Sequence, residues 1–289
     1  MSNVNPLADL TSSNVVIVAG KGGVGKTTVT AVLARAAADA GQRVLVIELD
    51  GKRALAELLP DLDVRSISAA DSLEEYLIEH GFKRTAKRLV STGVIDVIGT
   101  AAPGIDDLVV LGNIKKLERS GEWDLIVVDG PAAGHAITFL TSASGLLDAV
   151  RGGPVRDQAQ DVLEMLRDPE RCRVLLVTLP ETTPVNELIE TSAALEVRVG
   201  VQLASLVVNQ VDVADPLPEP GDVDFGRARA QVADALAAAT FRRTRLAVQV
   251  AELDRLNSEV ARPQIHLSAR PVAGLSPDDI AALAEELTR

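Results

Sequence analysis

One cysteine, two methionines and 2% aromatic residues are spread over 289 positions, and each scarcity excludes something. A lone Cys172 closes no disulfide within the chain and supplies no Cys-pair zinc site. Its apolar neighbours Val174 to Val177 mark it as a buried or half-buried, inert thiol. Few aromatics remove the stacking platform that single-stranded nucleic acid needs. They also leave the core to the Val, Leu, Ile and Ala that dominate a 47% hydrophobic content. Positive charge is in deficit: the net charge is −12 and the isoelectric point about 4.8, which speaks against broad binding to nucleic acid or an anionic membrane. No apolar run approaches the ~18 residues of a membrane span, and residues 1–13 lack the apolar segment of a signal peptide. The expectation is a cytoplasmic protein with no nucleic-acid partner and no stable membrane insertion. The length suits one large α/β domain with a sizeable core.

Glycine, by contrast, is concentrated where it carries chemistry. Gly20-Lys21-Gly22-Gly23-Val24-Gly25-Lys26-Thr27 matches the phosphate-loop pattern G-x-x-x-x-G-K-T. The context fits, because Val15 to Val18 reads as a buried strand and Thr28 to Ala40 as a helix. A strand, a glycine-rich turn and a helix N-terminus make an anion site of inward-pointing backbone N–H groups and a helix dipole. Gly20, Gly22, Gly23, Val24, Gly25 and Thr28 form that cradle. Lys26 reaches the β- and γ-phosphates of a nucleotide, and the Thr27 hydroxyl ligates Mg²⁺. Lys21 is not required by the pattern, and from spacing alone a solvated surface lysine is as good a reading as a functional one.

Downstream, apolar runs alternate with helical segments. Arg43 to Leu49 is a strand ending in Glu48-Leu49-Asp50-Gly51. Asp50 at its carboxyl end is placed to position an attacking water or to cap a helix over 52–59. Short helices are expected at 71–80 and 83–91, with Lys83, Arg84, Lys87 and Arg88 a solvated face, then a strand from Val94 to Ile98. A turn over Thr100 to Asp107 leads into a helix lasting to about Arg119. Trp123 to Asp129 is an apolar strand delivering a carboxylate, the Walker B form, with Asp129 reaching Mg²⁺ through water. Pro131 to His135 reads as a turn in which Gly134 brings an N–H to the γ-phosphate. His135 serves either helix-start packing or chemistry. Gly152-Gly153-Pro154 interrupts a helix, and a helix over 156–168 follows. Strands at 174–179, 203–209 and 263–267 enclose a helix from Pro184 to Val197, a loop at 214–222 and helices at 224–240 and 244–259. Ser276-Pro277-Asp278-Asp279 opens a last helix with Ile280, Leu283, Ala284 and Leu287 on one face. The alternation implies α/β architecture, a mostly parallel sheet of about seven or eight strands with helices on both faces. Residues 1–13 are expected to be a flexible tail, and 14–289 a single domain with switch or helical segments at about 52–92 and 141–172.

The loop with its extra lysine resembles the deviant Walker A motif of dimeric P-loop ATPases, a group that includes nitrogenase reductase and the Min and Par positioning ATPases. Within it the chain is most similar to the anion-transporting ATPases of the arsenite pump and of tail-anchored-protein targeting. Ala102-Pro103-Gly104-Ile105-Asp106-Asp107 resembles that family's P-G-x-D-E stretch. Trp123 to Asp129, followed by Gly134-His135 and Phe139-Leu140, resembles its Y-D-x-x-x-x-D-T-A-P-T-G-H-x-x-R-F-L. Val207-Val208-Asn209-Gln210 resembles I-V-N-Q. The resemblance implies Mg-dependent ATP hydrolysis by a nucleotide-switched dimer, a homodimer or a pair with a similar ATPase chain, acting on an unknown client protein. It makes Lys21 a lysine that reaches the partner's nucleotide, Asp50 the residue that orients water, and Asn209 an adenine ligand; Lys26 joins Lys21 and Asp50 as catalytic. The chain departs from the family at Gly51-Lys52-Arg53, at Pro131 and Ala133, and in having no Cys-x-x-Cys, so no zinc clasp is expected. The alternatives are a Min- or Par-type positioning ATPase, against which the acidic last helix speaks, and a ligase of the dethiobiotin-synthetase type on the same fold.

Overall fold

A computed structural model of the chain describes residues 6–49, 54–79, 104–214 and 229–288. Asp50, the expected helix at 83–91 with its basic run, the expected strand at 94–98 and nearly all of the 214–222 loop lie outside the described residues.

The sheet is built from β1 (Val15–Gly20), β2 (Val44–Leu49), β3 (Asp63–Ile67), β4 (Leu125–Ala132), β5 (Cys172–Thr178), β6 (Gln202–Leu203), β7 (Leu206–Val211) and β8 (Gln264–Ser268). Its order is β3-β2-β4-β1-β5-β7-β8, with the two-residue β6 also on β5, eight strands among the described residues. Every recorded pairing is parallel. Parallel strands need crossover segments, and these cover both faces, so the strands read as unbroken apolar runs. The period of two along β1 sorts its residues between the faces: Val15, Ile17 and Ala19 belong to one core, Val16 and Val18 to the other.

The helices are α1 (Pro6–Leu10), α2 (Lys26–Asp39), α3 (Ala54–Leu58), α4 (Ala69–Glu79), α5 (Ile105–Arg119), α6 (Ala133–Ala149), α7 (Pro154–Arg167), α8 (Thr182–Arg198), α9 (Arg229–Glu259) and α10 (Pro277–Ala284), the last running into a 3₁₀ turn to Thr288. Leu108, Leu111, Phe139, Leu140, Leu163, Leu166 and Leu188 cover the first core. Val29, Leu33 and Leu55 cover the second together with Ile280, Leu283, Ala284 and Leu287, the four residues expected to share one face. The start of α10 is a full capping box: Ser276 Oγ accepts from the Asp279 N–H, and Asp279 accepts from the Ser276 N–H.

Four differences from the sequence reading have physical causes. Residues 6–10 are a helix and not loose tail, because Leu10 and Leu7 are buried and the Asp9 carboxylate accepts from the Ser205 N–H and hydroxyl. β3 lies in a stretch that gave no strand signal; among the described residues it is an edge strand, paired only with β2, and its exposed Asp63, Arg65 and Ser66 break up the apolar pattern. The expected pair of helices at 224–240 and 244–259 is one 31-residue helix over its described span. Thr240-Phe241-Arg242-Arg243-Thr244 contains no breaker, and Arg242 is clamped by Asp212 at 2.9 and 3.0 Å. The fourth difference falls in the site.

Candidate functional site

β1 is flanked by β4 and β5, and its carboxyl end passes into the phosphate loop. The loop turns through left-handed backbone at Gly23 (φ +88°) and Gly25 (φ +89°), which residues with a Cβ adopt only at a cost. Gly25 is also the N-cap of α2, so the first N–H groups of that helix face the same space as the loop.

That space is an open cavity of about 1000 Å³, large enough for a small-molecule ligand. Gly22, Gly23, Gly25, Lys26, Thr27 and Asp129 all line it. Its far wall comes from β3, α5 and α6, with Ser66, Ser68, Asp106, Asp107 and His135. The sharpest contact lies at the floor, where the Thr27 hydroxyl donates to Asp129 Oδ2 at 2.8 Å. Residues 102 positions apart in the chain meet because β1 and β4 are parallel neighbours with Val18 opposite Asp129.

Lys26 folds back over the loop, its ammonium donating to the Lys21 carbonyl at 3.4 Å. The Lys21 ammonium turns aside and pairs with Glu187 of α8 at 2.9 Å. Asn209, in β7, is buried beneath the loop, and its amide donates to the Val24 carbonyl at 2.9 Å. Gly134 lies in the exposed first turn of α6. This is the fourth difference: β4 runs through Ala132 and α6 begins at Ala133, so Pro131 to His135 is a strand-to-helix junction without an intervening turn. Pro131 is tolerated at the strand's end, where a donor is no longer needed.

The field of the cavity is acidic. Asp106 and Asp107 occupy the first turn of α5. Burial, then repulsion from Asp106, push the Asp107 carboxyl above its usual range, while His135 opposes the shift. Glu48, at 3% exposure, lies opposite Asp129 across the β2–β4 pairing and lines the same cavity. Elsewhere, burial pushes the Cys172 thiol up to about 12.

Comparison with known proteins accords with this geometry. The family model described as anion-transporting ATPase matches residues 13–151, which contain the phosphate loop and Asp129. ATPase BagA of Mycobacterium tuberculosis is 30% identical over 247 residues, 74% of this chain and 72% of that protein. The chain belongs to the anion-transporting ATPase family. The arsenical pump-driving ATPase of Escherichia coli is 31% identical over 208 residues, 69% of this chain but 35% of that protein, so the match spans about a third of that ATPase. Among its described residues no helix is long and apolar enough to cross a membrane.

Two site residues escaped sequence reasoning. Glu48 had a signal, since it ends an apolar strand beside Asp50. Glu187 had none, because only the packing of α8 brings it to the loop.

Proposed function

We propose that this chain hydrolyses ATP with Mg²⁺ as a nucleotide-switched dimer, of two copies or with a similar ATPase chain, and couples hydrolysis to a client protein. The observation that carries the reading is the 2.8 Å contact between Thr27 and Asp129 directly beneath a glycine-rich loop. A hydroxyl and a carboxylate on facing elements are the hard oxygen donors that Mg²⁺ prefers. Held there by Thr27 and Asp129, the ion would neutralise phosphate charge. The acidic lining supports the same reading: Glu48, Asp106, Asp107 and Asp129 face a space in which a polyanion is to bind, so a divalent cation is needed to reconcile the two.

In this reading the loop amides and Lys26 bind the triphosphate and Thr27 and Asp129 hold the metal. Gly134 approaches the γ-phosphate, and Asp50 orients the attacking water. Lys21 leaves Glu187 and reaches the partner's nucleotide, where a cation supplied in trans is typically worth on the order of 10³–10⁵ in rate.

The test is solution mass by light scattering, with and without Mg-ADP and aluminium fluoride, on wild type and Lys21→Ala. The expected wild-type result is a dimer that tightens with the transition-state mimic. Lys21→Ala is expected to bind nucleotide but lose both the tightening and turnover. A Lys21→Ala variant with full turnover would remove the trans-lysine mechanism; a wild type that stays monomeric under every condition would remove the homodimer and leave a similar ATPase chain as the missing half, or the ligase-type reading.

A further inference from the structure

The asparagine in β7 is read by resemblance as an adenine ligand, yet its side chain is already engaged with the phosphate loop. Asn209 is 4% exposed. Its Nδ2 donates to the Val24 carbonyl at 2.9 Å, and its Oδ1 accepts the Gln210 N–H at 3.0 Å. The backbone beside it is unusual: Gln210 has φ 59°, a left-handed conformation in a residue other than glycine, where the β7–β8 ladder shifts register between Val208 and Val211. Such a conformation costs free energy and persists only where its surroundings require it. The bond from the Gln210 N–H to Oδ1 fixes the orientation of the Asn209 amide. The amide also fills the space under Gly25, since a Cβ built there would lie 2.2 Å from Asn209 Nδ2.

The consequence follows from peptide planarity. In a trans peptide the C=O and the N–H point in opposite directions. Asn209 holds the Val24 carbonyl toward the protein interior, so the N–H of the same peptide, that of Gly25, is turned away from it, toward the cavity that Gly25 lines. We propose that Asn209 is a positioning residue for phosphate binding: its amide braces the Val24–Gly25 peptide and thereby aims the Gly25 N–H at the nucleotide's phosphates. The contact to the phosphate rests on the nucleotide reading above; the brace itself does not. Binding would then begin from a loop already set for an anion, which saves the ordering that a free loop must undergo.

The experiment compares full-length wild type with Asn209→Ala in two ways. Amide hydrogen exchange without ligand reads the brace. Calorimetric titration with inorganic tripolyphosphate, Mg-ATP and Mg-GTP reads its effect on binding. We expect exchange at residues 21–28 to accelerate with little change elsewhere, and affinity for all three ligands to fall together by about ten-fold or more, the usual consequence of leaving a buried carbonyl unpaired. Unchanged loop exchange overturns the proposal, as does a loss confined to Mg-ATP with tripolyphosphate unaffected, which is the signature of a base reader. If wild type binds none of the three, the nucleotide reading fails while the exchange comparison still decides the brace. Should Asn209→Ala not fold, Asn209→Leu answers the exchange question, because it nearly keeps the side-chain volume and removes the donor without adding charge.

Discussion

Lys21 and Glu187 each keep about a third of their side chain in solvent while they pair. Exposed ion pairs contribute ~0–1 kcal/mol, so Glu187 holds the lysine lightly enough for a partner's phosphates to take it. Glu187→Gln is therefore expected to leave the melting temperature almost unchanged. It should lower the protein concentration at half-maximal turnover by up to about five-fold, the equivalent of ~1 kcal/mol. Steady-state ATPase rates over a dilution series check this, and a half-maximal concentration that rises would argue against release of Lys21 to a partner. Cys172 gives a contrasting case, in which a residue is taken out of chemistry by its surroundings. With no solvent contact and a thiol pushed up to about 12, it carries almost no thiolate at pH 8, and the thiolate is the reactive form. Ellman's reagent should find no reactive thiol in the folded protein at that pH and one per chain after denaturation.

Among the elements, α1 and α9 depart furthest from what patterning suggests. α1 has five residues, too few to be stable alone, and it is held by tertiary contacts. Leu10→Ala should therefore cost about 2–5 kcal/mol in a denaturant titration, the usual range for a fully buried leucine. α9 shows the opposite, a long helix much of which faces solvent. Leu256 is buried without residue while Phe241 is 66% exposed. Leu256→Ala should likewise lose about 2–5 kcal/mol, and Phe241→Ala should stay within about 0.5 kcal/mol of wild type. A large loss at Phe241 would mean that this face of α9 is covered in solution, and light scattering on the same samples would show it. The central strands were legible because each is an apolar run followed by a turn or a helix start. β3 was not, because an edge strand needs only one partner and carries a polar pattern.

Across the whole molecule, charge is what a nucleotide would meet first. A chain of net charge −12 with an acidic cavity repels a free polyanion, so nucleotide affinity should fall by about ten-fold or more when Mg²⁺ is chelated. Asp129→Asn should raise the Mg²⁺ concentration needed to restore it. Fluorescent-nucleotide titrations at fixed ionic strength and varied Mg²⁺ measure both, and affinity independent of Mg²⁺ would take Thr27 and Asp129 out of the metal site. The sequence by itself determined the phosphate loop, the α/β class and the carboxylate of Asp129, because glycines at fixed spacing, buried β-branched runs and a strand-terminal acid each follow from local backbone and solvation demands. Only the tertiary structure decided that Thr27 and Asp129 touch, that Glu48 stands level with Asp129, that Glu187 answers Lys21 and that Asn209 grips Val24. Those pairings depend on strand order and helix packing, which bring Thr27 to Asp129, Lys21 to Glu187 and Val24 to Asn209 within hydrogen-bonding distance across 102 to 185 positions, and no local pattern in the chain encodes which neighbour a strand will choose.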